Sequence, residues 1–173
     1  SENTEDIGTQ IRPFLNSLKT PELTGELRSE YRSAALYWLS HIASSQRSRI
    51  YDLTPAEKPL LPLVADRNLA ANALITLGGI PTRTAQADLV TIVTNKTMDS
   101  DVKEIAALQL AFHIQKFGLL VDSKNVASIR EAYQTATDPK LNTALASVMG
   151  TLMPDNKVVG ERLQEFKPTT PLP

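Results

Sequence analysis

Residues 66–95 read DRNLAANALITLGGIPTRTAQADLVTIVTN, and the reading of this stretch decides the fold. In its first half Leu69, Ala70, Ala73, Leu74 and Leu77 recur at helical spacing, and Gly78-Gly79 closes the run as a helix end. The second half restarts at Thr82 and places Ala85, Leu89, Ile92 and Val93 on another helical face. Thr91-Ile92-Val93-Thr94 favours a strand when taken alone, but it continues the helical period, so the period decides. The unit is therefore two short amphipathic helices joined by a turn. Such a pair cannot bury both apolar faces by itself and needs neighbours.

The neighbours are written in the same chain. Ala35, Leu36 and Leu39 correspond to Ala70, Ala71 and Leu74, then to Ala106, Ala107 and Leu110, then to Ala144, Leu145 and Val148, with offsets of 35, 36 and 38 residues. Small alanines at recurrent positions let helix axes approach to the ~8–10 Å of close packing. Arg32, Arg67 and Lys103 each lie three residues before the first alanine of their copy, and Lys140 stands near the matching place in the fourth. Asp66, Asp101 and Asp138 open the last three copies, where a carboxylate can accept the free N–H groups of a first turn.

An opening aspartate, a base, small alanines and spaced leucines resemble the HEAT-repeat, armadillo-like family of α-solenoids. The resemblance covers roughly residues 32–166. It implies an all-α, right-handed solenoid of about four helical pairs, over 26–64, 66–95, 101–136 and 139–166, preceded by an N-terminal capping helix in a single domain over 1–166. It implies no chemistry, because the repeat is a packing motif. The first copy departs from the pattern: it lacks the opening aspartate, and Pro55, Pro59 and Pro62 require its second helix to be short or broken.

Composition narrows the function. A chain of 173 residues buries about 70% of the surface its unfolded form exposes and needs no covalent staple. It has no cysteine, which removes disulfides, thiol catalysis and cysteine-ligated zinc but leaves the compartment open. Eighteen basic and 19 acidic residues leave a formal charge of −1, so there is no global attraction for nucleic acid or anionic lipid. No apolar run reaches the ~18 residues of a membrane span. The start at Ser1 and the proline-rich tail or linker over 167–173, KPTTPLP, read as the ends of a piece excised from a longer protein.

In chain order, residues 5–19 form the capping helix, with Ile7, Ile11, Phe14, Leu15 and Leu18 inward. The helix with Tyr31, Ala34, Ala35, Trp38, Leu39 and Ile42 follows. Thr54-Pro55-Ala56-Glu57 reads as a capping box. The third copy runs from Asp101, with Glu104 completing a box, through Leu108, Phe112 and Phe117 to Gly118, and its return helix starts at Ser123. The fourth starts at Asp138-Pro139 and breaks near Pro154, before a last helix to Phe166. That makes nine helical segments and no strand.

Chemical constellations are sparse. His41 and His113 sit in different copies without a neighbouring acid, so a di-iron hydroxylase built on such repeats fails at the residues that matter, and His113 reads as structural. Asp99-Ser100-Asp101 with Glu104 lacks the glycine and 12-residue spacing of a calcium loop, and capping explains it. No phosphate loop, nucleophile elbow or Ser-His-Asp order is present. The expectation is a non-catalytic interaction or scaffold module without cofactor or metal; the remotest alternative, a small enzyme, requires a pocket joining His41 or His113 to a carboxylate of a neighbouring helix.

Two surfaces are candidates for protein binding. The first copy concentrates Arg28, Tyr31, Arg32, Tyr37, Trp38, His41, Arg47, Arg49 and Tyr51, including the only tryptophan and three of the four tyrosines. Aromatics with arginines dominate binding hot spots. The alternative is that Trp38 belongs to the core and the arginines are solvated. The same residues could hold phosphates and stack bases, the nucleic-acid reading, although Glu26, Glu30 and Asp52 dilute the charge. The second surface is the concave side that the resemblance implies for successive second helices: Asp88, Thr91, Asn95, Ser128 and Glu131, with Gln134, Glu161 and Gln164. Its polar, mildly acidic character suits a protein or peptide partner. The capping helix and the proline-rich tail argue for a monomer.

Overall fold

Helix-forming periods account for nearly all of the described chain. The structure is a computed structural model that describes residues 26–45 and 51–152. Seven α-helices follow one another: α1 (Glu26–Ser44), α2 (Glu57–Leu60), α3 (Ala70–Gly78), α4 (Arg83–Thr94), α5 (Ser100–Phe117), α6 (Ser123–Thr135) and α7 (Pro139–Leu152). Short 3-10 turns, Thr54–Ala56 and Leu61–Ala65, flank α2. No strand occurs among the described residues. The proposed capping helix over 5–19, the last helix to Phe166 and the tail over 167–173 lie outside them.

Four helix starts have a local cause. Thr82 caps α4 by accepting the Ala85 N–H at 3.0 Å, and Asp122 caps α6 by accepting that of Asn125 at 3.0 Å. Asp138 receives the Leu141 N–H at 2.9 Å, with Pro139 in the first position of α7. The cap of α5 is Asp99, not Asp101: its carboxylate takes the Asp101 N–H at 3.1 Å, and Asp101 sits inside the first turn. Asp66 lies ahead of α3 in a turn, its side chain accepting from the Asn68 N–H.

The first copy's second half corrects the capping-box reading. Thr54 makes no side-chain cap, and Glu57 is buried and accepts a 2.6 Å bond from the Thr82 hydroxyl 25 residues later. Pro59 and Pro62 confine regular α-helix there to four residues.

Successive contacts build one body. α1 packs on α3, α3 on α5, and α5 on α7, while α4 lies against α3, α5 and α6, and α6 against α7. One apolar core runs from Ala35 to Val148. Of the twelve alanine, leucine and valine positions matched between copies, all but Ala71 are buried. Each fully covered leucine contributes on the order of 2 kcal/mol, so Leu36, Leu39, Leu74, Leu110 and Leu145 are substantial parts of the packing.

Gly78-Gly79 serves this packing rather than a left-handed cap. Gly79 has φ −90° and ψ −7°, a backbone any residue can adopt. A Cβ on it would fall 2.6 Å from the Cβ of Ala43 in α1 and 2.9 Å from the Ala43 Cα and carbonyl oxygen. Gly118 is the one residue described with positive φ, at +81°, and it stops α5.

Candidate functional site

On α1 the buried stripe is Ala35, Leu36, Leu39, Ser40 and Ala43, which leaves the aromatic residues outside. Tyr31, Tyr37 and Trp38 are 53%, 54% and 53% exposed. Trp38 is therefore a surface residue, and its reading as core is set aside. The physical reason is rotational: Trp38 lies one residue from Tyr37 and Leu39, about 100° away from the face that meets α3.

The exposed rings form an ordered group. The Tyr37 and His41 rings stack with centroids 5.7 Å apart and planes 21° from parallel, and Trp38 stands edge-on to Tyr37 at 5.8 Å. On α5, Leu108 and Phe112 are 44% and 36% exposed, on the side of the helix away from Ala106, Ala107, Leu110 and Ile114. The Lys116 ammonium sits 5.2 Å from the centroids of both Phe112 and Phe117. Between α1 and α5 runs a groove of about 420 Å³, lined by Tyr37, Ser40, His41, Ser44, Asn72, Ile75, Gln109 and Phe112. Its floor comes from α3. Asn72 and Gln109 bring carboxamides into it, and among the described residues none that lines it is an acid, a lysine or an arginine.

The Arg28 side chain, Arg47 and Arg49 lie outside the described residues. Arg32 is partly buried, and its Nε is buried without a hydrogen-bond partner. Among the described residues no arginine lines the groove.

The second predicted surface divides in two. Ser128 and Glu131 meet in a cleft of about 480 Å³ between α6 and the starts of α5 and α7, lined also by Lys96, Ser100, Lys103 and Asp138. Asp88, Thr91 and Asn95 do not line it. The Thr91 hydroxyl donates to Ala87 within its own helix, and Asn95 ends α4 with its carboxamide oxygen accepting from Thr97. Asp88 is partly buried, and this desolvation, with Glu57 repelling it, raises its pKa above the ordinary aspartate value. Glu161 and Gln164 lie outside the described residues.

The two histidines do separate things. His113 is fully buried. Its Nδ1 accepts from Gln86 Nε2 at 2.9 Å, and its Nε2 donates to the Ile80 carbonyl at 2.8 Å, so the network assigns the Nε2–H tautomer. Burial, with Lys116 adding to it and the Ile80 bond opposing, holds its pKa below the ordinary histidine value. Gln86, also fully buried, fills every hydrogen-bonding position it has: Nε2 also donates to Gly118 O at 3.0 Å, and Oε1 accepts from Leu120 and Val121 N–H at 2.7 and 2.9 Å. This clasp joins the α3–α4 turn to the α5–α6 turn. Sequence reasoning passed over Gln86. The available signal was a glutamine between Ala85 and Leu89, on the face that has to be buried.

The acidic cluster at the start of α5 is likewise structural. Asp99 caps the helix and forms an ion pair with Arg67. The Arg67 guanidinium, helped by the Asp101 N–H, holds its carboxyl below the usual range. Among the described residues no group of three or more His, Asp or Glu converges as a metal site, and no helix is long and apolar enough to cross a membrane.

No protein-family model, curated protein or solved structure matches the chain.

Proposed function

We propose that the chain is a HEAT-like α-solenoid acting as a non-catalytic protein-interaction module, and that it recognises its partner through the ring-walled groove of α1, α3 and α5. The repeat supports the architecture: the recurrent alanine and leucine positions are the buried ones, and α1, α3, α5 and α7 contact each other in succession. The observation that carries the function is the exposed pair of rings, Tyr37 and His41, that lines the groove with Phe112, extended by the exposed Trp38 edge-on to Tyr37. Large half-exposed rings are uncommon on a surface with no partner, and they are the residue types that anchor interfaces. Helix-borne side chains keep the groove preorganised, so binding orders little of the module. Among the described residues none that lines the groove is a lysine or an arginine, which weighs against phosphate recognition at this site.

The test is capture of proteins by the purified chain at low and moderate salt, with bound nucleic acid measured in the same eluate. A protein retained at both salts by the wild type and lost by a folded Tyr37→Ala, Trp38→Ala double variant supports the reading. Nucleic acid retained at low salt alone, or capture indifferent to both substitutions, overturns it.

A further inference from the structure

We infer that the Gln86–His113 clasp is an acid-released latch: a proton taken up by His113 frees the turn between α5 and α6 from α4 while the rest of the fold stays closed.

The hydrogen bonds of the clasp exclude a protonated His113. The neutral ring has one donor and one acceptor, and both are engaged: Nε2 donates to the Ile80 carbonyl, and Nδ1 accepts from Gln86 Nε2. A second proton can enter only at Nδ1, where it meets a carboxamide nitrogen that is itself a donor. Turning the ring over changes nothing, since an imidazolium donates from both nitrogens. Turning the Gln86 carboxamide over satisfies the new proton but sets Nε2 against the Leu120 and Val121 N–H groups and Oε1 against the Gly118 carbonyl, so three bonds to the turn are lost. Gln86 and His113 are both fully buried, so water reaches the stranded groups only when the turn moves away.

The turn is the part that yields. The Ile80 bond survives protonation, because Nε2 keeps its hydrogen, whereas every bond at risk ends on Gly118, Leu120 or Val121. What else holds the turn is the burial of Val121 and the Arg83–Asp122 pair, 3.8 Å apart and exposed.

Among the described residues no carboxylate offsets a charge on His113. α3 carries no charged residue, and α7 has only Lys140, in its first turn. α4 brings Arg83 and Asp88, the turn and the head of α6 bring Asp122 and Lys124, and α5 itself brings Lys116. Arg83 pairs with Asp122, and Asp88 is set against Glu57. Lys116 is the charge that acts on the ring, and it repels. Burial and Lys116 together hold the His113 pKa below the ordinary histidine value, the direction that a site expelling a proton requires.

The experiment is amide hydrogen exchange of the full chain, followed by NMR between pH 7.5 and 5.5 and expressed as opening constants corrected for intrinsic exchange. The open form takes up its proton near the ordinary histidine value of ~6.5 and the clasped form below it, so the Leu120 and Val121 opening constants should rise by up to about tenfold over this range. At each pH they should exceed that of the Leu145 amide inside α7 and respond less to low urea, the marks of local opening. His113→Gln should make the response flat, and Asp88→Asn should leave it as in the wild type. Gln86→Glu replaces the opposing donor with an acceptor that holds the imidazolium, so its turn should open less, not more, as pH falls. A wild-type rise below twofold, a response kept by His113→Gln or lost in Asp88→Asn, or the wild-type sign in Gln86→Glu overturns the inference. So does exchange of Leu120 and Val121 with the rate and urea dependence of Leu145, which would make the proton act by unfolding the whole chain.

Discussion

Replacing Gly79 by alanine tests how closely α1 and α3 approach. The new Cβ would stand 2.6 Å from the Ala43 Cβ and 2.9 Å from the Ala43 Cα and carbonyl oxygen. Carbon atoms in contact sit about 3.5–4.0 Å apart, so α1 must retreat by about 1 Å, and the obstruction is largely backbone that cannot rotate away. Overpacking of this kind costs about 1–3 kcal/mol. The backbone at Gly79 suits alanine, so the stiffened unfolded chain returns about 0.4–1 kcal/mol. The net expectation is destabilisation of about 1–2 kcal/mol, read as a lower urea midpoint by far-UV circular dichroism. Gly150→Ala is the reference: it lies in α7 with nothing within 4 Å, and should stabilise by up to ~1 kcal/mol. Ala43→Gly should rescue Gly79→Ala only in part, since it removes the nearest atom but not the backbone. If Gly79→Ala and Gly150→Ala shift the midpoint alike, the close approach of α1 is wrong.

Three further outcomes follow from the buried and half-buried polar groups. Gln86→Leu strips partners from the Leu120 and Val121 N–H groups and should cost about 2–5 kcal/mol, measured by urea unfolding; a loss under 1 kcal/mol would refute the clasp. His113 has its folded pKa depressed, so the unfolded chain binds more protons below ~6.5; stability is full above that pH and falls as pH drops, by up to ~1.4 kcal/mol per unit, and His113→Gln should flatten that slope in urea midpoints taken between pH 7.5 and 5. Asp88 has the opposite sign: its raised pKa favours the fold at low pH and loses that contribution as pH rises through the folded value, so Asp88→Asn should raise the thermal midpoint at pH 7, and a lowered midpoint counts against repulsion from Glu57.

How much of this was legible in the sequence depends on what kind of information each feature uses. The helices and their buried stripes come from spacing alone, and Leu36, Leu74, Leu110 and Leu145 are buried because period and burial are one fact seen twice. The breakage of the second helix in the first copy was legible because proline acts locally. Composition flagged the aromatic patch, but spacing could not orient it. Trp38, Leu108 and Phe112 are apolar residues on a face that the period assigns to solvent, and a reading that equates apolar with inward misplaces all three. Glu57 was misread, and Gly79, the helix end that the spacing predicts, was read only in part, for a different reason. Each matches a short-range motif, yet its partner, Thr82 or Ala43, lies 25 or 36 residues away, and no local pattern encodes that meeting. The groove's carboxamides belong to the same class, since Asn72 and Gln109 come together only when α3 lies between α1 and α5.

The Gln86 clasp also gives the molecule a direction of compliance. At one edge, the turn after α3 and the turn after α5 are tied by buried bonds through Gln86 and His113. At the opposite edge, the approaches to those same helices are joined by the exposed Arg67–Asp99 pair, which water and salt can loosen. A bending load between these helix pairs therefore meets a stiff edge and a soft one. The strand of chain before α3 hinges away from the head of α5 first, with the clasped turns as the pivot.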